Sequence, residues 1–191
     1  SSESHRFCPL QDKTTVTKQS MKIEFDIRLD KSPQPTTDDE RFMRMAIDLS
    51  KRSVEKGGGP FGAVIVRDGE VIASGSNSVT LLNDPTAHAE VCAIREACRR
   101  EGTFSLKGCT IYTSCEPCPM CLSSIYWAGI DRIFYANTRG DAAAIDFDDS
   151  FIYDQIPMDP ADRTIPSVQL LHKEALEAFR LWDEKSDKVE Y

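Results

Sequence analysis

The stretch "TSCEPCPMCLSS" sets three cysteines at three-residue intervals, Cys115, Cys118 and Cys121. His88 stands thirty residues before Cys118, and Glu90 follows it two positions later. Four chemistries use such a run: an iron–sulfur cluster, a structural zinc, a disulfide pair or a catalytic metal. The bacterial ferredoxin pattern needs a fourth cysteine shortly after the third and before a proline. Here position 125 is Ile, and no cysteine follows Cys121. A four-cysteine structural zinc would have to recruit Cys109 or Cys115, which leaves His88 and Glu90 without a role. A catalytic zinc takes three protein ligands and keeps the fourth position for water. His88, Cys118 and Cys121 supply one nitrogen and two thiolates for it, and Cys115 becomes a strand-end neighbour that does not bind. Residues two apart on a regular helix diverge by about 200°. Glu90 and His88 can therefore line one opening only at a helix mouth. A carboxylate there can take a proton from water at the open position and pass it to a substrate.

These groups need helix starts and strand ends to hold them. "DDERFMRMAIDLSKRSVEKGGG" carries Phe42, Met45, Ala46 and Leu49 at helical spacing, with glycines ending it. "FGAVIVRDGEVIASGSN" is two apolar runs about Asp68-Gly69, a hairpin signal. "DPTAHAEVCAIREACRR" predicts a helix with Asp84 as N-cap and Pro85 at its first position, burying Val91, Ile94 and Ala97 or Cys98. A strand at "CTIYTS", a helix begun by Pro119 and a strand at "RIFYAN" follow. The chain then predicts a strand at "VQLLHK", holding His172, and a helix at "EALEAFRLWDEK". This order predicts an α/β fold with a mixed sheet covered by helices. Both cysteine ligands and His88 fall at predicted helix starts, where the dipole favours thiolate and hydroxide charge.

Residues 1–37 read differently. They are rich in Ser, Thr, Lys and Gln, end in "KSPQPTTDDE", and predict an extension and linker with a short strand at "MKIEFDIRL". Residues 38–191 are then one domain. Neither His5 nor His172 has ligand spacing to any other candidate.

With 23 basic against 31 acidic residues the net charge is −8, and seven aspartates but no lysine or arginine lie between Gly140 and Arg163. Nucleic-acid backbones are gripped by basic surfaces, so the charge argues against a polyanion and for a small, weakly charged substrate. No apolar run reaches the roughly 20 residues that cross a bilayer, and the polar N-terminus has no secretory h-region. Seven cysteines, five of them between Cys98 and Cys121, suit metal ligation in a reducing compartment. The expectation is a cytoplasmic protein that binds neither membrane nor nucleic acid.

The pairing of H-A-E with P-C-P-M-C is the signature of zinc deaminases. "NDPTAHAEVCAIREAC" and "YTSCEPCPMCLSSIYWAG" resemble the cytidine-deaminase-like superfamily, and specifically its guanine deaminases of the bacterial and plant type. The resemblance runs from about Phe42 to Tyr191 and takes in "GGPFGAVIV", "FDDSFIY", "RTIP" and the terminal "EY". It implies a three-layer α-β-α fold around a central mixed five-stranded sheet, one zinc ion per subunit, and hydrolysis of guanine to xanthine and ammonia. It implies zinc ligation by His88, Cys118 and Cys121 and proton transfer by Glu90, with Asp149 as a second acid. Asn77, Phe61, Trp127, Ala89 and Tyr191 would contact the purine. It also implies a homodimer exchanging C-terminal segments, so that Tyr191 closes the partner's site. Members of the family commonly carry glycine before "FDDS", where this chain has Asp146. The alternatives are deaminases of guanosine, cytosine or cytidine, a tRNA adenosine deaminase, and a metal-binding module without catalysis.

Overall fold

A four-stranded mixed sheet lies between helices in this computed structural model, which describes residues 34–191. Helix α1 (Thr37–Glu55) leads into the hairpin of β1 (Gly62–Arg67) and β2 (Glu70–Ser76). A short α2 (Val79–Leu82) and the long α3 (Ala89–Glu101) come next. After β3 (Cys109–Cys115), α4 (Pro119–Ala128) and β4 (Arg132–Asn137) come three further α-helices, α5 (Arg139–Ala143), α6 (Ser150–Gln155) and α7 (His172–Glu184), with a short 3-10 turn at Pro160–Asp162 between the last two. The strand order is β2-β1-β3-β4, with β1 antiparallel to both neighbours and β3 parallel to β4.

The period-2 alternation of β1 divides the core between two faces. Val64 and Val66 join Phe42 and Ala46 of α1 and Tyr112 of β3 on one side. Ala63 and Ile65 pack on the other with Ala93 and Ala97 of α3, Ile111, and Ile125 of α4. At the hairpin Asp68 and Gly69 both have positive φ, 49° and 78°, as a type I′ turn requires. Three acidic residues, Asp38, Asp39 and Glu40, fill the first turn of α1, where the helix dipole favours them.

Helix α3 lies directly on β2 at Gly75. A Cβ there would collide with the carbonyl oxygen of Ala89 and come within 2.7 Å of the Ala93 nitrogen. Those are backbone atoms of the helix that carries Glu90, so they cannot swing aside. Gly75→Ala is expected to cost about 1–3 kcal/mol through overpacking, read as a lower thermal midpoint. An unchanged midpoint would mean that α3 can lift off the strand freely.

Two expectations are corrected. The fifth strand does not form: residues 167–171 take no strand conformation, Leu171 has φ 55°, and α7 begins at His172. A strand needs an edge to share its hydrogen bonds with, and residues 167–171 pair with no strand among the described residues. The helix expected from Asp84 begins instead at Ala89. The Asp84 carboxylate accepts from the Thr86 N–H at 2.9 Å and its hydroxyl at 2.7 Å, which closes a turn before the helix can start. The short strand expected at "MKIEFDIRL" lies outside the described residues, as does His5. Among the described residues no helix is long and apolar enough to cross a membrane.

Candidate metal centre and active site

The late start of α3 settles how His88 and Glu90 share one opening. His88 is the N-cap, with extended backbone at φ −68°, ψ 157°. Its side chain therefore leaves before the helical turn begins, and Glu90 follows from the first turn. Cys118 repeats the arrangement as N-cap of α4, at φ −66°, ψ 169°, with Pro119 opening the helix and Cys121 in its first turn. Neither N-cap side chain makes a capping hydrogen bond. Two helix N-termini thus direct their positive ends at one place, which favours the thiolate form of the cysteines.

The ligand atoms of His88, Cys118 and Cys121 lie within 4.8 Å of one another. Nδ1 of His88 is 3.5 Å from each sulfur. Tetrahedral zinc with ordinary Zn–N and Zn–S bonds gives an N···S edge of about 3.6 Å, so the three side chains fit that ion. The protonation of the pair tells the same story. Hydrogen bonding from Cys121, and then from His88, holds the Cys118 thiol down at about 4. Cys121 is pushed strongly upward, first by the Cys118 sulfur beside it and then by its burial. Two adjacent thiols resist ionising together, and a divalent cation removes that conflict. Cys115 is different. Burial pushes its thiol up to about 11, and its sulfur donates to the Thr138 carbonyl at 3.7 Å. It remains a neutral neighbour.

Glu90 is 7 % exposed, and its Oε2 accepts from the Cys121 sulfur at 3.3 Å. Burial raises its pKa above the usual carboxylate value. It lines a cavity of about 420 Å³ together with His88, Cys118, Phe61, Asn77 and Asp149. The structure therefore gathers these predicted residues in one place. Asn77 is 6 % exposed. Its Oδ1 accepts from the Val79 N–H at 3.2 Å, so its amide N–H₂ is what it offers the cavity. Phe61 meets Phe147 edge-to-face, with centroids 5.0 Å apart. Of the two adjacent acids, the Asp148 carboxylate accepts from the Ser150 N–H at 2.9 Å, which holds its pKa below the usual carboxylate range. Asp149 instead faces Arg139 of α5, with 3.5 Å between Nε and Oδ1.

Ala89 is fully buried as the first residue of α3 and contributes no side chain to the cavity. The structure does not bring Trp127 or Tyr191 into this cavity within one chain. They are 71 % and 82 % exposed and line a separate groove between α3 and α4, their ring centroids 6.2 Å apart. Sequence reasoning missed Arg139, Glu116 and Phe147, which all line the cavity. Phe147 and Glu116 lie inside the quoted "FDDS" and "CEPC" segments, and their proximity to matched residues was the signal available. Nothing in the spacing of Arg139 marks it.

Asp146 stands at φ 70°, in the left-handed region that glycine enters without strain. It stands immediately before "FDDS". The backbone thus keeps a glycine-like conformation at that turn, and Asp146 becomes part of the cavity lining.

A profile of the cytidine and deoxycytidylate deaminase zinc-binding region matches residues 36–137. The chain belongs to this deaminase family. Guanine deaminase of Bacillus subtilis (strain 168) is 53 % identical over 153 residues, covering 80 % of this chain and 98 % of that one. Its crystal structure superposes with a TM-score of 0.78. A tRNA-specific adenosine deaminase of Aquifex aeolicus is 46 % identical, but over only 51 % of this chain and 64 % of its own length. A guanine deaminase structure from Nitrosomonas europaea matches at 30 % identity and TM-score 0.57, over 65 % of this chain and 72 % of that one. In this deaminase family the match to the zinc-binding region takes in His88, Cys118 and Cys121, the three residues that the structure draws together.

Proposed function

We propose that this protein hydrolyses guanine at C2, taking up one water and releasing xanthine and ammonia. One observation carries the reading. A buried carboxylate, Glu90, sits against a His/Cys/Cys ligand set at the floor of a cavity walled by paired aromatic rings. The Bacillus subtilis relative, 53 % identical and matched over 98 % of its own length, carries the same activity in its name.

His88, Cys118 and Cys121 would hold the zinc, which would supply a Lewis acid able to bring the pKa of a water toward about 7. Glu90 takes one proton from the attacking water, whose oxygen bonds to C2, and delivers it to the ring nitrogen beside C2. As the C2–N bond breaks, Glu90 and Asp149 pass the second proton of that water to the amine, so that it departs as ammonia. Phe61 and Phe147 hold the flat base by its faces and edge, and the Asn77 amide donates to an acceptor on the purine rim. The test is ammonia release from the zinc-loaded protein, with free guanine, guanosine, adenine, cytosine, cytidine and tRNA as substrates. Turnover of guanine above the others is expected. A preference for tRNA with steep salt dependence would transfer the reading to the tRNA adenosine deaminases.

The reading extends to a cytoplasmic homodimer built from residues 38–191, with C-terminal segments exchanged and residues 1–37 as an extension. Helix α7 supports it. None of its residues is buried, and Phe179 is 75 % exposed with Leu176, Leu181 and Trp182 beside it. So much apolar surface on one segment calls for a covering partner. Light scattering should give twice the chain mass of 21.4 kDa, and a monomer at micromolar concentration would end the exchange proposal.

A further inference from the structure

We propose that Arg139 is a positioning residue that holds Asp149 in place for the deamination step; the inference rests on the guanine reading above. Five carboxylates line the cavity, those of Glu90, Glu116, Asp146, Asp148 and Asp149, and Arg139 is the one guanidinium among the described lining residues. Left alone, neighbouring carboxylates repel and turn away toward water. Arg139 opposes this for Asp149 in particular. Its Nε lies 3.5 Å from the Asp149 Oδ1, and its guanidinium carbon sits 3.7 Å from the ring centroid of Tyr153. Asp149 and Tyr153 are the N-cap and first-turn side of one helix, α6. The cation is therefore held between a carboxylate and an aromatic face, an arrangement that its flat fork suits and a lysine ammonium does not.

Arg139 is itself anchored at the metal side. It is the first residue of α5, whose capping box joins Thr138 and Asp141. Its backbone N–H donates to the Glu116 carboxylate at 3.1 Å, and the Glu116 N–H donates to the Asn137 carbonyl at 2.8 Å. Glu116 lies between Cys115 and the ligand Cys118. A continuous line of contacts thus runs from the ligand loop through Arg139 to Asp149, and it sets the distance from the metal side of the cavity to the second acid.

The test measures kcat, KM and zinc content for guanine with the full chain. Arg139→Met is expected to lower kcat roughly 10–100-fold, the cost of a misplaced group, while KM and zinc content stay near the parent's. Arg139→Lys should recover part of the loss, since it restores the charge but not the stacking. Asp149→Asn combined with Arg139→Met should be no worse than Asp149→Asn alone. A general loss of folded protein would lower the double variant further, so this cycle separates positioning from stability. Should Arg139→Met not fold, Tyr153→Leu removes the ring beneath the guanidinium and should show a smaller kcat loss that vanishes in the Asp149→Asn background. Parent-like kcat in Arg139→Met, or losses that multiply in the double variant, overturns the inference alone. A parent enzyme without guanine turnover overturns the functional reading and the inference with it.

Discussion

Glu90→Gln is expected to bind one zinc per chain and to lose roughly 10²–10⁴-fold in kcat, the span that positioned acid–base groups contribute. The substitution keeps the shape of a side chain that is 7 % exposed, so the packing of α3 against β2 is retained. It also keeps a polar group beside the Cys121 sulfur, 3.3 Å away in the parent. What disappears is the ability to accept a proton from water and return it to the ring nitrogen and the amine. The loss should fall on kcat and leave KM largely alone, because the amide still fills the cavity floor. Metal analysis and steady-state ammonia release together read the result. Near-parental kcat would remove Glu90 from the mechanism, whereas a fall in zinc content would recast it as a metal-supporting residue.

The sequence was most informative where the chemistry is local. The cysteine pair Cys118 and Cys121 and the hairpin at Asp68-Gly69 depend on neighbours within a few residues; the structure forms the hairpin and draws the two sulfurs together beside His88. His88 and Glu90 are legible as a pair at a helix mouth, but the residue at which that helix begins is not. The extended N-cap at His88 follows from the Asp84–Thr86 turn, a competition between two local hydrogen-bonding options that composition does not decide. The missing fifth strand has another cause. "VQLLHK" has the apolar character of a strand, yet Val168 and Leu170 remain exposed in this chain, because a strand forms only where an edge receives it. Arg139 was illegible for a related reason. Its meaning comes from the N-cap and one residue of α6, Asp149 and Tyr153, and from Glu116 in the loop before Cys118, brought together only by the fold.

Cys118→Ser should leave the fold standing and strip the site of its metal. Serine is a favoured N-cap residue, so α4 can still begin at Pro119, and its buried Ile125 and Ala128 keep their core contacts. A hydroxyl, however, does not ionise near neutral pH as a thiol held at about 4 does, and zinc then loses one of its two thiolates. Zinc content well below one per chain is expected, with guanine turnover lower than in Glu90→Gln and helix content by circular dichroism unchanged. Added zinc should raise the melting temperature of the parent, since a ligand that binds only the folded state stabilises it, and should do far less for Cys118→Ser. Cys115 is not placed to take over the vacant position, because its sulfur is engaged with the Thr138 carbonyl at 3.7 Å and is not among the ligand atoms that the structure gathers. Stoichiometric zinc and parental turnover in Cys118→Ser would therefore break the assignment of His88, Cys118 and Cys121 as the ligand set, and with it the route from this fold to hydrolysis.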